Sequence, residues 1–267
     1  MRILLAGAAG QLGNELYPRL AEIGEVTAAD IRCTRSNAPG CLDVDLGDAG
    51  QLERLLNRSD PDLVVNAAAY TDVDRAEEEP EQAFLVNAEI PGRMARWANR
   101  NDRTLLHYST DYVFDGRASD PYRVTDTPSP LNTYGESKLA GELGIRASGC
   151  HAMIVRTSWV YSVHGSNFVL SMLALARQRP QLQVVDDQVG CPTWARNLAL
   201  ASRQLLDAEL HGGTEFSGNT FHYCDRDAVS WYDFASLVFR TAADLGLLEK
   251  TPELLKVDST RFRQAAR

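Results

Sequence analysis

A glycine-rich turn near the N-terminus narrows the fold more than any other feature. Gly7-Ala8-Ala9-Gly10-Gln11-Leu12-Gly13 directly follows an apolar, strand-like run, Arg2–Ala6, and opens a helical stretch over residues 11–23. Such a turn lets backbone N–H groups approach a pyrophosphate at a helix N-terminus, where the helix dipole favours an anion. The spacing is GxxGxxG rather than GxGxxG, and alone it also suits a tight strand-to-helix connection. The rhythm that follows favours the nucleotide reading. Strand-like runs at 26–29, 62–66, 104–109 and 152–157 alternate with helical stretches at 51–58, 81–101 and 133–146. Parallel strands need crossover connections, usually helical, so the pattern predicts a parallel sheet with helices on both faces.

After Tyr161 the rhythm changes. A helix over 167–179 leads to a strand over 182–185, a turn at Cys191-Pro192 and a helix over 195–209. A glycine-rich break (Gly212, Gly213, Gly218) precedes a strand over 220–224 and an amphipathic helix over 231–245. The expectation is an α/β chain: a Rossmann-like, doubly wound parallel sheet over residues 1–161, with a smaller C-terminal substrate lobe over 162–267 interleaved with it. A chain of 267 residues can bury cores for both.

On this scheme Gly7, Gly10, Gln11, Leu12 and Gly13 would cradle the diphosphate of a dinucleotide. Asp30 ends the second strand, where a carboxylate can accept hydrogen bonds from the adenosine ribose and repel a 2′-phosphate. Arg32 lies two residues on and could accommodate that phosphate, so the cofactor is expected to be NADPH or NADH, with a lean to NADH. Asp45 and Leu46 are candidate adenine contacts. Ala67, Ala68 and Ala69 follow the strand ending at Asn66, where small side chains would let a cofactor lie across the strand ends.

Tyr134 and Lys138 form Tyr-x-x-x-Lys, which on a helix puts both on one face, one turn apart. A phenol titrates near 10 and exchanges protons poorly at neutral pH; a neighbouring ammonium is expected to favour the phenolate. The chain has nine tyrosines and only three lysines, and Lys138 is the only lysine before residue 250. Chance would give about 0.1 pairs of this helical spacing. Pro130 and Asn132 suit a capped helix start that would place Tyr134 in the first turn. A hydroxyl at a strand end to bind a carbonyl is available from Ser109 or Thr110. His107, inside an apolar strand, reads as a satisfied core residue. No histidine clusters with carboxylates at metal-ligand spacing, so no metal is expected.

Composition excludes other classes. A net charge of −9 argues against a nucleic-acid surface. The apolar N-terminal run is too short for a signal peptide or membrane span, and no later run is long enough. Five scattered cysteines without a CxxC pair suggest neither zinc nor a disulfide framework, and a reducing cytoplasm is expected.

Together these motifs resemble the extended short-chain dehydrogenase/reductase superfamily, and more closely its dTDP-4-dehydrorhamnose reductase family, which completes dTDP-L-rhamnose synthesis. The resemblance rests on the glycine turn, on Asn66-Ala67-Ala68-Ala69-Tyr70-Thr71-Asp72 and on His107-Tyr108-Ser109-Thr110-Asp111-Tyr112. It continues through Thr133-Tyr134-Gly135-Glu136-Ser137-Lys138, Arg156-Thr157-Ser158-Trp159-Val160-Tyr161 and Asp187-Gln188-Val189-Gly190-Cys191-Pro192-Thr193. It implies a catalytic triad of Thr110, Tyr134 and Lys138, with Tyr134 and Lys138 also touching the cofactor. It implies substrate contacts from Thr110, Asp111, Tyr134 and Trp159, and a dTDP-linked keto-deoxysugar as the partner. Hydride from NAD(P)H would reach C4 while Tyr134 protonates the oxygen.

Two positions depart from the family pattern. The usual Pro- and Arg-containing segment near the C-terminus is unmatched around Thr251-Pro252-Glu253, so either a loop is missing from this sequence or the substrate site closes differently. Arg196 follows Thr193-Trp194-Ala195 where some members carry magnesium-binding acids, which points to a monomer or weak homodimer. Two other readings stay open: a non-catalytic regulatory subunit of the methionine adenosyltransferase type, and a reductase or epimerase of another nucleotide sugar. The Arg156–Tyr161 segment resembles the reductase rather than the regulatory branch, although fold likeness alone does not fix function.

Overall fold

The computed structural model describes residues 1–211 and 218–261. The first part alternates as expected: β1 (Arg2–Ala6), α1 (Gln11–Leu20), β2 (Glu25–Asp30), β3 (Leu42–Asp43), α2 (Ala49–Ser59) and β4 (Leu63–Asn66). Helices α3 (Val73–Glu78), α4 (Pro80–Phe84) and α5 (Ile90–Arg100), strand β5 (Thr104–Thr110), helix α6 (Thr133–Ser148) and strand β6 (His151–Thr157) follow. Then come β7 (Val160–Tyr161), α7 (Phe168–Ala176), β8 (Gln181–Val185), β9 (Val189–Gly190), β10 (Thr193–Trp194) and α8 (Ala195–His211). The last are β11 (Thr220–His222), β12 (Val229–Ser230), α9 (Trp231–Asp244) and β13 (Glu253–Val257). Gly212 and Gly213 lie outside the described residues.

Seven strands form one sheet in the order β11-β6-β5-β4-β1-β2-β3, and every pairing is parallel. Side chains alternate along each strand, so both faces need cover. Leu4 and Ala6 face a core with Leu52, Leu56, Met94 and Ile145, from α2, α5 and α6. Ile3 and Leu5 face the opposite core, with Leu16, Leu20, Leu198 and Leu206 from α1 and α8. Strand order reverses between β1 and β4. In open α/β sheets the crevice outside the carboxyl ends at such a point binds ligands.

The chain leaves this sheet after β6 and returns for α8 and β11. Between and after, α7, α9, β8 and β13 enclose a smaller cluster around Leu182, Phe239, Ala242 and Leu248. One expected helix differs. The stretch over 81–101 is interrupted by a π turn at Leu85–Glu89. Apolar periodicity runs through that turn, so sequence pattern does not show it.

Candidate active site

The glycine turn is shaped by close approach. Gly7 has φ +80°, and a Cβ there would lie 2.4 Å from the Ala68 nitrogen, at the end of β4. A Cβ on Gly13 would lie within van der Waals overlap of the Gly7 carbonyl and 2.8 Å from Ala8 Cα, because α1 packs directly on the turn. Gly10 is exposed, and a Cβ there would meet only the Gly7 oxygen, at 3.3 Å. Helix α1 begins with no side-chain cap and no acid in its first turn, whereas α2, α3, α6, α7 and α9 are each capped by a side chain. An open turn leading into an uncapped helix start fits a diphosphate.

Asp30 stands at the carboxyl end of β2, but its oxygens are already engaged. Ala9 N–H donates to Oδ2 at 3.0 Å and Arg32 N–H to Oδ1 at 2.9 Å. Arg32 is exposed beside it. Asp45 accepts from Gly47 N–H, and Leu46 buries its side chain in the core, leaving only its backbone to a ligand. Ala67, Ala68 and Ala69 are half-buried past the end of β4. Gln11 accepts a hydrogen bond from Asn167 at 2.9 Å, linking the turn to the start of α7, and Leu12 packs into the core. The cysteine expectation needs correction: Cys33 and Cys41, on either side of the loop between β2 and β3, form a disulfide. Eight residues of separation match no motif, so only the return of the chain toward β3 shows the pairing. Cys150, Cys191 and Cys224 are free.

At the other end of the crevice, Asn132 caps α6 by accepting from Gly135 N–H at 2.9 Å, as its position suggested. Thr133 donates from both its amide and its hydroxyl to Glu77 on α3. The absence of a side chain at Gly135 lets α6 approach the turn after β5, since a Cβ there would overlap the Tyr112 carbonyl. This approach brings Tyr134 to Thr110, whose hydroxyl hydrogen-bonds it and slightly counters the upward push of burial on the phenol. Thr110 also donates to Asp111 at 3.1 Å and accepts from Tyr112 N–H. Burial pushes the Asp111 carboxyl up to about 6 against that bond from Thr110. Ser109, the alternative hydroxyl, is buried without a hydrogen-bond partner among the described residues.

Lys138 is 2% exposed, and its ammonium donates to the Tyr108 carbonyl at 2.6 Å. Desolvation pulls its pKa down to about 8, opposed by Glu142 one turn on. The expectation that the ammonium would bring the phenol toward neutrality is not met in this structure, because burial dominates. Burial holds Tyr134 well above the ordinary tyrosine range, and the hydrogen bond from Thr110 pulls against it. His107 is fully buried with its pKa depressed by burial. Its Nδ1 meets the Asn66 amide at 3.1 Å, while Nε2 has no partner among the described residues. It is thus only half satisfied.

Two groups escaped sequence reading. Asn87, in the π turn, is fully buried; it bonds both the N–H and the carbonyl of Tyr70 and donates to the Ser137 hydroxyl. Its carbonyl sits where a Cβ on Gly141 would be, so this irregular turn packs tightly on α6. Glu142 and Arg156 form a buried two-pronged pair, 2.8 and 2.7 Å, tying α6 to β6. Its acidic half was legible as the next position on the Tyr134–Lys138 face; its basic half, from a different element, was not.

Trp159 follows β6 with φ +44°, in the left-handed region that costs a bulky residue energy. Its half-buried ring stacks on Trp231, at the start of α9, with centroids 3.4 Å apart. A Cβ on Gly190 would lie 2.4 Å from the indole, so the ring is held on that side too. Phe168 of α7 packs on Trp231. Arg196, where magnesium-binding acids would stand, lies over the Trp194 ring. Among the described residues no group of three or more His, Cys, Asp or Glu side chains is placed to hold a metal. None of their helices is long and apolar enough to cross a membrane.

A glycine turn at β1, an acid at the end of β2 and a Tyr-x-x-x-Lys helix beside a strand-end threonine define a Rossmann-type, short-chain dehydrogenase/reductase class of protein. The model of the RmlD substrate binding domain family matches residues 1–267, and the chain belongs to that family. It is 39% identical over 267 residues to the dTDP-4-dehydrorhamnose reductase of Escherichia coli K12, covering all of this chain and 87% of the relative. The enzyme of the same name from Burkholderia thailandensis is 40% identical over 240 residues, 89% of this chain and 77% of the relative. A crystal structure of the Bacillus anthracis dTDP-4-dehydrorhamnose reductase in complex with NADP is 31% identical, with a TM-score of 0.87 over 100% of this chain and 87% of that one.

Proposed function

We propose that the chain reduces the C4 keto group of dTDP-4-dehydro-L-rhamnose to give dTDP-L-rhamnose, using NADPH or NADH. The observation that carries this is the meeting of the Tyr134 and Thr110 hydroxyls at the carboxyl end of β5, with the buried Lys138 one turn further along the same helix, in a chain of this family. When bound, the reduced nicotinamide supplies hydride to the carbonyl carbon. Gly7, Gly10 and Gly13, with the first-turn amides of α1, hold the diphosphate; Asp30 and Arg32 face the adenosine ribose.

Tyr134 enters the reaction as a phenol because burial disfavours its anion. It donates that proton to the carbonyl oxygen as negative charge develops there. Thr110 orients the same oxygen from its place beside Tyr134. Once Tyr134 has given up its proton, the Lys138 ammonium, on the same helix face, stabilises the phenolate in a buried site where screening is weak. Asp111 and Trp159 bound the sugar. We assign residues 1–161 to dinucleotide binding and 162–267 mainly to the substrate, and take the protein to act in the cytoplasm as a monomer or weak homodimer.

Oxidation of reduced nicotinamide, followed with a panel of dTDP-, UDP- and GDP-linked 4-keto-6-deoxysugars, tests this reading. The dTDP-linked sugar should turn over with the highest kcat/KM and yield dTDP-rhamnose by mass and chromatography. Preferred turnover of a UDP- or GDP-linked sugar would overturn it.

A further inference from the structure

We propose that the Cys33–Cys41 disulfide holds the loop between β2 and β3 as a binding site for the 2′-phosphate of a dinucleotide, so that the redox state of this pair sets the preference for NADPH over NADH. The inference rests on the dinucleotide reading above.

The loop lies against the glycine turn. Ser36 donates to the Ala8 carbonyl at 3.1 Å, Asn37 N–H to the Asn14 side chain at 2.7 Å, and the Asn14 amide to the Arg35 carbonyl at 3.3 Å. At its far end Ala38 is buried and Cys41 packs on the same core as α1. At its near end Arg32 and Arg35 are exposed, and neither guanidinium makes a hydrogen bond or ion pair among the described residues. Asp30, the acid that would oppose a 2′-phosphate, has each oxygen occupied by a backbone N–H. Two arginines with unpaired guanidinium groups, within five residues of a carboxylate already bonded to backbone, suit a phosphate better than a bare ribose hydroxyl.

Cys33 directly follows Arg32, and the disulfide links this arginine-bearing end to the anchored end at Cys41. A crosslink restricts the loop in every state, so less freedom remains to be lost when an arginine is ordered on phosphate. NADH has no 2′-phosphate and gains nothing from that order. Both cysteines are only partly buried, within reach of small oxidants and reductants. Forming the bond removes two protons and two electrons from the two thiols; a low-molecular-weight disulfide accepts them and becomes two thiols. In a compartment where thiols are kept reduced, disulfides are mostly transient and redox-sensing, which suits such a pair.

The test is calorimetric titration with two probes, adenosine 2′,5′-bisphosphate and 5′-AMP. It uses the oxidised protein, the protein treated with a phosphine reductant, and the Cys33→Ser/Cys41→Ser double variant. Thiol counting under denaturing conditions fixes each state: three reactive thiols when the pair is closed and five when it is open. Opening the pair should weaken the bisphosphate about three- to tenfold, the scale of ordering one long side chain. It should leave 5′-AMP unchanged, and Arg32→Ala should remove the difference between states. Equal bisphosphate affinity in closed and open protein overturns the inference, as do five free thiols after incubation with glutathione disulfide. If neither probe nor NADPH binds in any state, the dinucleotide reading fails, and this inference with it.

Discussion

Tyr134 and Lys138 are pushed in opposite directions by one cause. Burial disfavours charge, so the phenol keeps its proton more firmly and the ammonium holds its own less firmly, down to about 8. That combination suits a proton donor with a cation in reserve, and it makes pH a direct probe. The kcat/KM for keto-sugar reduction should fall as pH rises through about 8, when Lys138 loses its charge; a profile flat to well above that value would show that the ammonium is not needed. Stability should move the other way. The unfolded chain keeps the lysine proton up to its ordinary 10.5 while the folded chain releases it near 8. In that window the unfolded state binds more protons, and Lys138's contribution to stability rises with pH. Urea midpoints of wild type and Lys138→Met across this range should show the rise only in wild type. Tyr134→Phe should lower kcat by about 10²–10⁴, the range of general-acid effects, while NADPH still binds by fluorescence titration. Near wild-type turnover would mean another group donates the proton. Spacing alone put Tyr134 and Lys138 on one face of a helix, because helical period fixes which side chains share one. It could not give the direction of the tyrosine shift, which is set by how deeply the fold buries the phenol, against the hydroxyl of Thr110 from another element.

Helix α6 shows how an element turns spacing into geometry. Asn132 fixes where it starts, Gly135 how closely it meets the turn after β5, and Gly141 how closely it meets the π turn carrying Asn87. Gly135→Ala would set a methyl against the Tyr112 carbonyl, and relief requires α6 to shift away from Thr110. We expect kcat to fall about a hundredfold, the scale of a misplacement of about 1 Å, with dinucleotide affinity falling far less because the glycine turn lies on other elements. Unchanged kcat would mean the helix can shift without separating Tyr134 from Thr110. Most element boundaries were legible, since strands buried on both faces read as unbroken apolar runs and α6 carries its own cap. The π turn and the disulfide were not. One arises from packing against a glycine on a distant helix, the other from where the chain returns to pair β3 with β2.

At the scale of the whole molecule, the sheet and the smaller cluster meet at Trp159. The parallel sheet and its crevice followed from the alternation of strands and helices. What sequence order concealed is that Trp231, far along the chain, covers one face of Trp159 while Gly190 crowds it from the β9 side. A strained backbone at a half-buried indole, braced by two other elements, is costly for a residue with only a packing role, and strain of this kind gathers at ligand sites. Its place just beyond β6 puts it outside the carboxyl ends of the strands, where a sugar nucleotide would lie. Trp159→Ala should therefore raise KM for the dTDP-keto-sugar and lower kcat/KM, leaving NADPH affinity intact. Alanine keeps the Cβ that the left-handed backbone crowds, so no strain is relieved; loss of the half-buried indole, whose stacking is worth about 0.5–1.5 kcal/mol beyond area, should lower Tm by a few degrees. Trp231→Phe keeps an aromatic face against the indole and should preserve most of the activity. Trp231→Ala, which leaves Trp159 unbraced, should raise the same KM without touching NADPH affinity. If Trp159→Ala instead unfolds the protein or weakens cofactor and substrate alike, the indole is a core residue. If Trp159→Ala is stable with unaltered kinetics, the sugar lies elsewhere in the crevice.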